Sequence, residues 1–228
     1  MNAIGQPRTK LKSREYFEAA VKYNESVIER FGAIISSPGT GARHRQRLSH
    51  SLFKQLLEQA ITLYSGGYDL DSIKQALKRA VDALEAYRTL GGEAYDFKYL
   101  DQYVVSLWLV SLALLLGCSD TELGRMVSLL ENEGRDAIYE CIVGLRLRSR
   151  KQTTHVLHPD PYGVLWAALQ AKDARARESL MLRFLSNYYE SMKLAYWHDT
   201  HKREDPSFFG YWCFELAALV SGLAFAVS

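Results

Sequence analysis

The chain has no phosphate loop, no dinucleotide fingerprint and no His-Glu-x-x-His zinc signature, and its paired glycines fall only where helices end. These absences remove the enzyme classes that are easiest to read from sequence. Cysteine is scarce: Cys118, Cys141 and Cys213 are an odd number, each in an apolar helical context. That suits buried free thiols in a reducing, cytoplasmic setting better than a disulfide framework. Net charge is +2, too near zero to imply a polyanion partner, so direct nucleic-acid binding is not expected. Residues 1–12 are polar and lack the apolar core of an export signal. There is no sustained period-two alternation and no Asn-Gly hairpin, which argues against a sheet. The longest uncharged run, 18 residues between Asp101 and Asp120, is at the lower limit for a membrane span. Gln102, Tyr103, Ser106 and Ser111 interrupt it, and both flanks are acidic. A helix buried on all sides reads the same way, and no membrane contact is expected.

Helical periodicity fills the rest of a chain long enough to bury a core unaided. Tyr16, Ala20, Tyr23, Val27 and Phe31 form one stripe of a helix from about Lys10, broken at Ser36-Ser37-Pro38-Gly39. A second helix spans roughly Arg45 to Tyr64, with Phe53, Leu56, Leu57 and Ile61 inward. A third, capped by Asp69 or Asp71, carries Ile73, Leu77, Val81 and Leu84. The uncharged run predicts a central helix over about Tyr95 to Gly117. Ser119 and Glu122 then form a capping box for a short helix to about Leu130. Another helix is expected over about Asp136 to Arg148, followed by a polar linker from Arg150 to His158. Asp160-Pro161 reads as cap and first helical residue. Two helices then reach about Tyr196, a charged loop spans His198 to Ser207, and a last helix starts near Phe209. The expected fold is all-α: about nine helices in two helical subdomains, 10–131 and 134–228, sharing a core.

Few side-chain groupings invite chemistry. His198, Asp199 and His201 would be the ligands of a metal-dependent hydrolase, but their spacing matches no strong zinc motif. His155 and His158 lie in the polar linker. No catalytic set, metal site or cofactor is expected. Acidic side chains are the more suggestive feature. Glu131, Glu133, Asp136 and Glu140 fall around one helix–helix junction, and Glu93, Asp96 and Asp101 around the start of the central helix. A face of carboxylates suits a cationic partner such as the phosphate-binding cleft of a nuclease. Aromatics crowd the C-terminal third, where Glu215 follows them on an apolar helix. There it requires a buried donor from His201, Lys202 or a tyrosine hydroxyl.

Two segments, Tyr189 to Lys202 (YESMKLAYWHDTHK) and Phe209 to Ala217 (FGYWCFELA), together resemble the C-terminal signature of the PoNi family. These are the cognate immunity proteins of polymorphic PoNe nuclease toxins. Trp197, Asp199, His201, Lys202, Gly210, Tyr211, Trp212, Phe214 and Glu215 carry the likeness. Tyr95 to Leu116 is similar to the characteristic helix of the family's N-terminal half. Tyr188 departs from the pattern, since members often have tryptophan there. The resemblance implies a cytoplasmic, non-enzymatic inhibitor of a secreted DNase of the PD-(D/E)xK class, delivered by a type VI or related system. It also implies that the toxin is the partner; homodimerisation stays open, and a helical adaptor is the alternative. The motif residues read as fold determinants rather than as interface.

Overall fold

The computed structural model describes residues 5–225, and among these it holds nine α-helices, one short 3-10 turn and no strand. The all-helical expectation is met. Packing divides the chain into two units, Met1–Ala94 with Asp199–Gly210, and Tyr95–His198 with Tyr211–Ser228. These units cut the chain differently from the sequence halves 10–131 and 134–228. The central apolar helix packs with the last helix, far away in sequence, and residues 199–210 return to the first unit.

In the first unit, α1 (Arg14–Ser36) opens on Ser13, whose hydroxyl accepts from the Tyr16 amide at 3.3 Å. Its buried face is Phe17, Ala20, Val21, Asn24, Val27 and Ile28, rotated from the expected stripe, and Tyr23 is 52% exposed. The rotated face buries Phe17, Val21 and Ile28 and also admits one polar residue. Asn24 turns inward, donating to Gln59 Oε1 at 2.9 Å and accepting from Gln55 at 2.9 Å, so its amide is satisfied inside the core. Next, α2 (Ala42–Ser65) is the shared packing partner of α1 and of α3 (Leu70–Thr89). Of the two expected caps for α3, Asp69 is the one used, and it takes both the Ser72 amide and hydroxyl at 2.8 Å.

The second unit is built on α4 (Leu100–Leu115), which starts five residues later than expected and is buried without a break from Tyr103 to Ala113. A helix apolar on every side needs neighbours on every side, and α5 (Asp120–Leu130), α6 (Ala137–Gly144) and α9 (Phe214–Phe225) all pack on it. No helix among the described residues is long and apolar enough to cross a membrane. The Ser119–Glu122 capping box is present as read. In α7 (Pro159–Gln170), Asp160 has non-helical angles (φ −108°, ψ 98°), so regular helix begins at Pro161, cap then proline. It packs on α8 (Ala174–Ser191), capped by Asp173. The three cysteines are half-buried and in no disulfide.

Candidate functional site

The acidic junction between α5 and α6 turns two of its four carboxylates inward. Asp136 caps α6 and is fully buried, accepting from the Tyr139 amide (2.9 Å), the Leu157 amide (2.9 Å) and the Tyr103 hydroxyl (2.8 Å). One turn on, Glu140 is 1% exposed and receives Arg150 through both Nε and Nη2 at 2.8 Å, with the Gly134 amide also at 2.8 Å. This is a bidentate buried ion pair with both carboxylate oxygens engaged. The presumed linker is therefore a strap. Leu157 binds Asp136, the His155 carbonyl accepts from Ala137 at 2.7 Å, and the Lys151 amide donates to Glu133 at 2.9 Å. Expecting Asp136 and Glu140 on a partner-facing surface does not fit this placement, since neither reaches the surface. Glu131 and Glu133 are exposed.

The other acidic candidates are dispersed. Glu93 is exposed in the first unit. In the second, Asp96 holds Lys98 at 2.9 Å and lies 3.6 Å from Arg135, while Asp101 accepts from the Tyr196 amide at 3.0 Å. Sequence reading missed the residues that organise the junction. Asn132, with a left-handed φ of 64°, donates to the Tyr95 and Leu130 carbonyls at 2.6 and 2.7 Å. The sequence offers Tyr103 only as an interruption of the uncharged run and Arg150 only as the start of a polar linker. The available signal was Glu140 itself, a carboxylate inside the apolar AIYECIVG, which needs a buried cation or donor.

The C-terminal motif also points inward. Trp197 is 1% exposed, with ring centroids of Tyr211, Trp108 and Tyr188 at 5.3, 6.0 and 6.1 Å. His198 stacks on Tyr189 at 4.2 Å. In the first unit, Asp199 takes the left-handed φ of 63° ahead of the 3-10 turn Thr200–Lys202 and pairs with Lys202 at 2.8 Å, while His201 meets the Phe208 ring edge-on. Gly210 is buried at φ 124°, where a side chain would be strained. Tyr211 and Trp212 are half-buried. Among the described residues, no three His, Cys, Asp or Glu side chains gather to hold a metal ion, and His198 belongs to one packing unit while Asp199 and His201 belong to the other.

Glu215 is fully buried, and of the three donors expected for it, a tyrosine supplies the bond. The Tyr162 hydroxyl donates to Oε1 at 2.8 Å, whereas Oε2 has no partner in hydrogen-bond geometry. Burial raises the carboxyl above its ordinary range, more strongly than the Tyr162 bond lowers it. Burial first, and the Glu215 charge second, also push the Tyr188 hydroxyl and the Cys213 thiol upward. The folded protein thus holds the Glu215 proton more tightly than the unfolded chain does. This group's contribution to stability is complete below the ordinary pKa of about 4.5 and is lost as pH rises toward the higher folded value. Glu215→Gln keeps an acceptor for Tyr162 and removes that loss, so its melting temperature should gain on wild type as pH is raised from about 4 to 8. Parallel melting curves across that range would exclude an elevated carboxyl. Glu215→Ala instead strands the Tyr162 hydroxyl and should cost about 1–3 kcal/mol in denaturant unfolding.

Family comparison accounts for nearly all of the chain. Residues 8–128 match the model described as PoNe immunity protein (PoNi), N-terminal, and residues 134–224 match its C-terminal counterpart. No curated protein matches in sequence. Among solved structures, the crystal structure of protein PA2201 from Pseudomonas aeruginosa is similar, with a TM-score of 0.72 and 16% identity, over 97% of this chain and 84% of that one. At that identity the likeness concerns the fold.

Proposed function

Because the chain belongs to the PoNe immunity proteins, matched over both halves of the family, we propose that it binds and neutralises a cognate secreted DNase of the PD-(D/E)xK class by covering its active-site cleft. The family match across residues 8–128 and 134–224 carries this reading. The protein does no bond-making of its own: it keeps DNA from the toxin's metal centre in the cytoplasm of the producing cell, after delivery through a type VI or related system. The inward placement of Trp197, Gly210 and Glu215 supports a division of labour in which the motif builds the scaffold and other surface meets the toxin. Co-expression with the adjacent toxin gene tests the proposal. Growth and intact chromosomal DNA are expected when both are present, and continued DNA degradation would refute it.

A cationic nuclease surface is best met by carboxylates that reach solvent, which here are Glu93, Glu131 and Glu133. Charge reversal at Glu131 and Glu133 together should slow toxin association by about tenfold at low salt and flatten its salt dependence, with at most about 1 kcal/mol lost from the exposed Glu133–Lys151 bond. An unaltered association rate would remove that junction from the interface. Asp136 and Glu140 do not belong in this experiment, because reversing either would break the buried network rather than alter a surface.

A further inference from the structure

In the first unit, α1 and α3 both pack on α2, and between them lies a cavity of about 430 Å³, near the small end for ligand pockets. Its apolar lining comes from Val21 and Ile28 on α1, Leu63 on α2 and Ala76 on α3. Glu18, Lys22 and Glu25 line it from a single stripe of α1, at spacings of four and three. Among the described residues neither carboxylate is engaged in an ion pair or a hydrogen bond. Asp69, also at the cavity, is committed to Ser72.

A second observation is independent of these charges. Gln59 lines the cavity while only 4% exposed. Its Oε1 is used by Asn24, at the end of the chain of bonds from Gln55 through Asn24, and its Nε2 donates to no acceptor among the described residues. That N–H is open to the cavity, so a ligand bringing a carbonyl oxygen can accept from it and extend the network. The Tyr68 ring lines the same cavity. Burial first, then the charges of Glu18 and Glu25, raise the Tyr68 hydroxyl, and all three residues border the same cavity. Two carboxylates and a tyrosine bordering one cavity make an environment for an alkylammonium or guanidinium group. Lys22 and Arg79 also border the cavity and disfavour a second cation, but the carboxylates Glu18, Glu25 and Asp69 outnumber them.

We propose that this cavity receives a basic side chain of the toxin, its cation between Glu18 and Glu25 and its adjoining main-chain carbonyl on Gln59 Nε2. The proposal rests on the immunity reading for the identity of the partner, and on the cavity alone for the chemistry. Each part has its own test. In the first, the full chain is titrated with N-acetyl-arginine amide, N-acetyl-norleucine amide and N-acetyl-glutamate amide, following the Gln59 side-chain amide by NMR. Saturable shifts are expected with the arginine probe only, and binding at least about tenfold weaker in Glu18→Gln/Glu25→Gln, with unchanged melting. No shift with arginine, or equal shifts with norleucine or glutamate, would overturn the cavity as a cation receptor. In the second, the nuclease from the adjacent gene is bound to both proteins. An affinity loss of about tenfold or more in the double variant supports the toxin side chain as occupant, and equal affinity overturns it. If wild type itself fails to bind or protect, the immunity reading falls, while the arginine titration still decides the cavity.

Discussion

Arg150→Ala is expected to lower the free energy of unfolding by about 3 kcal/mol, measured by urea or guanidinium denaturation at neutral pH. The figure follows from what would remain. Glu140 is 1% exposed, and without Arg150 it keeps only the Gly134 amide as a donor, so a carboxylate would be buried uncompensated. The lower end of the range for broken buried pairs applies, because the Arg150 side chain is still 11% exposed and solvent can reach part of the site. Arg150→Lys cannot restore it fully, since an ammonium does not reproduce the two parallel bonds from Nε and Nη2. Replacing both partners, as in Glu140→Leu/Arg150→Met, should recover much of the loss, because no charge is then stranded. A single Arg150→Ala variant within about 0.5 kcal/mol of wild type would show that the pair behaves like a surface one.

Trp197→Ala should cost about 3–5 kcal/mol, the range for deleting a buried indole. The side chain is 1% exposed and lies among the rings of Trp108, Tyr188 and Tyr211, none of which can fill the space without leaving its own contacts. Loss of near-ultraviolet circular dichroism below the wild-type melting point is the expected companion signal. Trp197→Phe, which keeps an aromatic body, should cost less. A Trp197→Ala protein with wild-type stability but abolished toxin binding would reverse the assignment, moving this motif from scaffold to interface. If the scaffold reading holds, Trp197→Ala fails to protect cells only in proportion to the folded protein lost.

Much of this molecule is readable from local patterns. The Ser119–Glu122 box and the Asp69 cap are local events, settled by side chains three residues from the amides they serve, and the start of α7 is set locally by the fixed φ of Pro161. Burial of α4 is legible for a different reason: a stretch without charge cannot present a polar face whatever surrounds it. The register of α1 was harder to read. The stripe through Tyr16 and Tyr23 passes over Phe17, Val21 and Ile28, which form the buried face, and Asn24 joins that face only because α2 supplies Gln59 and Gln55.

The acidic junction shows the limit most clearly. Asp136 and Glu133 are the same kind of group three positions apart, and composition treats them alike, yet one is sealed inside and the other meets water. What separates them is the set of donors that reaches Asp136, Tyr103 and Leu157 among them, brought from segments 33 and 21 residues away. The α1–α3 cavity has the same origin, since Glu18, Gln59 and Tyr68 meet only through packing on α2. From sequence alone came the helical class, the ends of most helices and the family, because periodicity, capping and motif are properties of neighbouring residues. Only the tertiary structure decided which charges are buried and which reach solvent, because desolvation depends on what the rest of the chain places around a group rather than on the group itself.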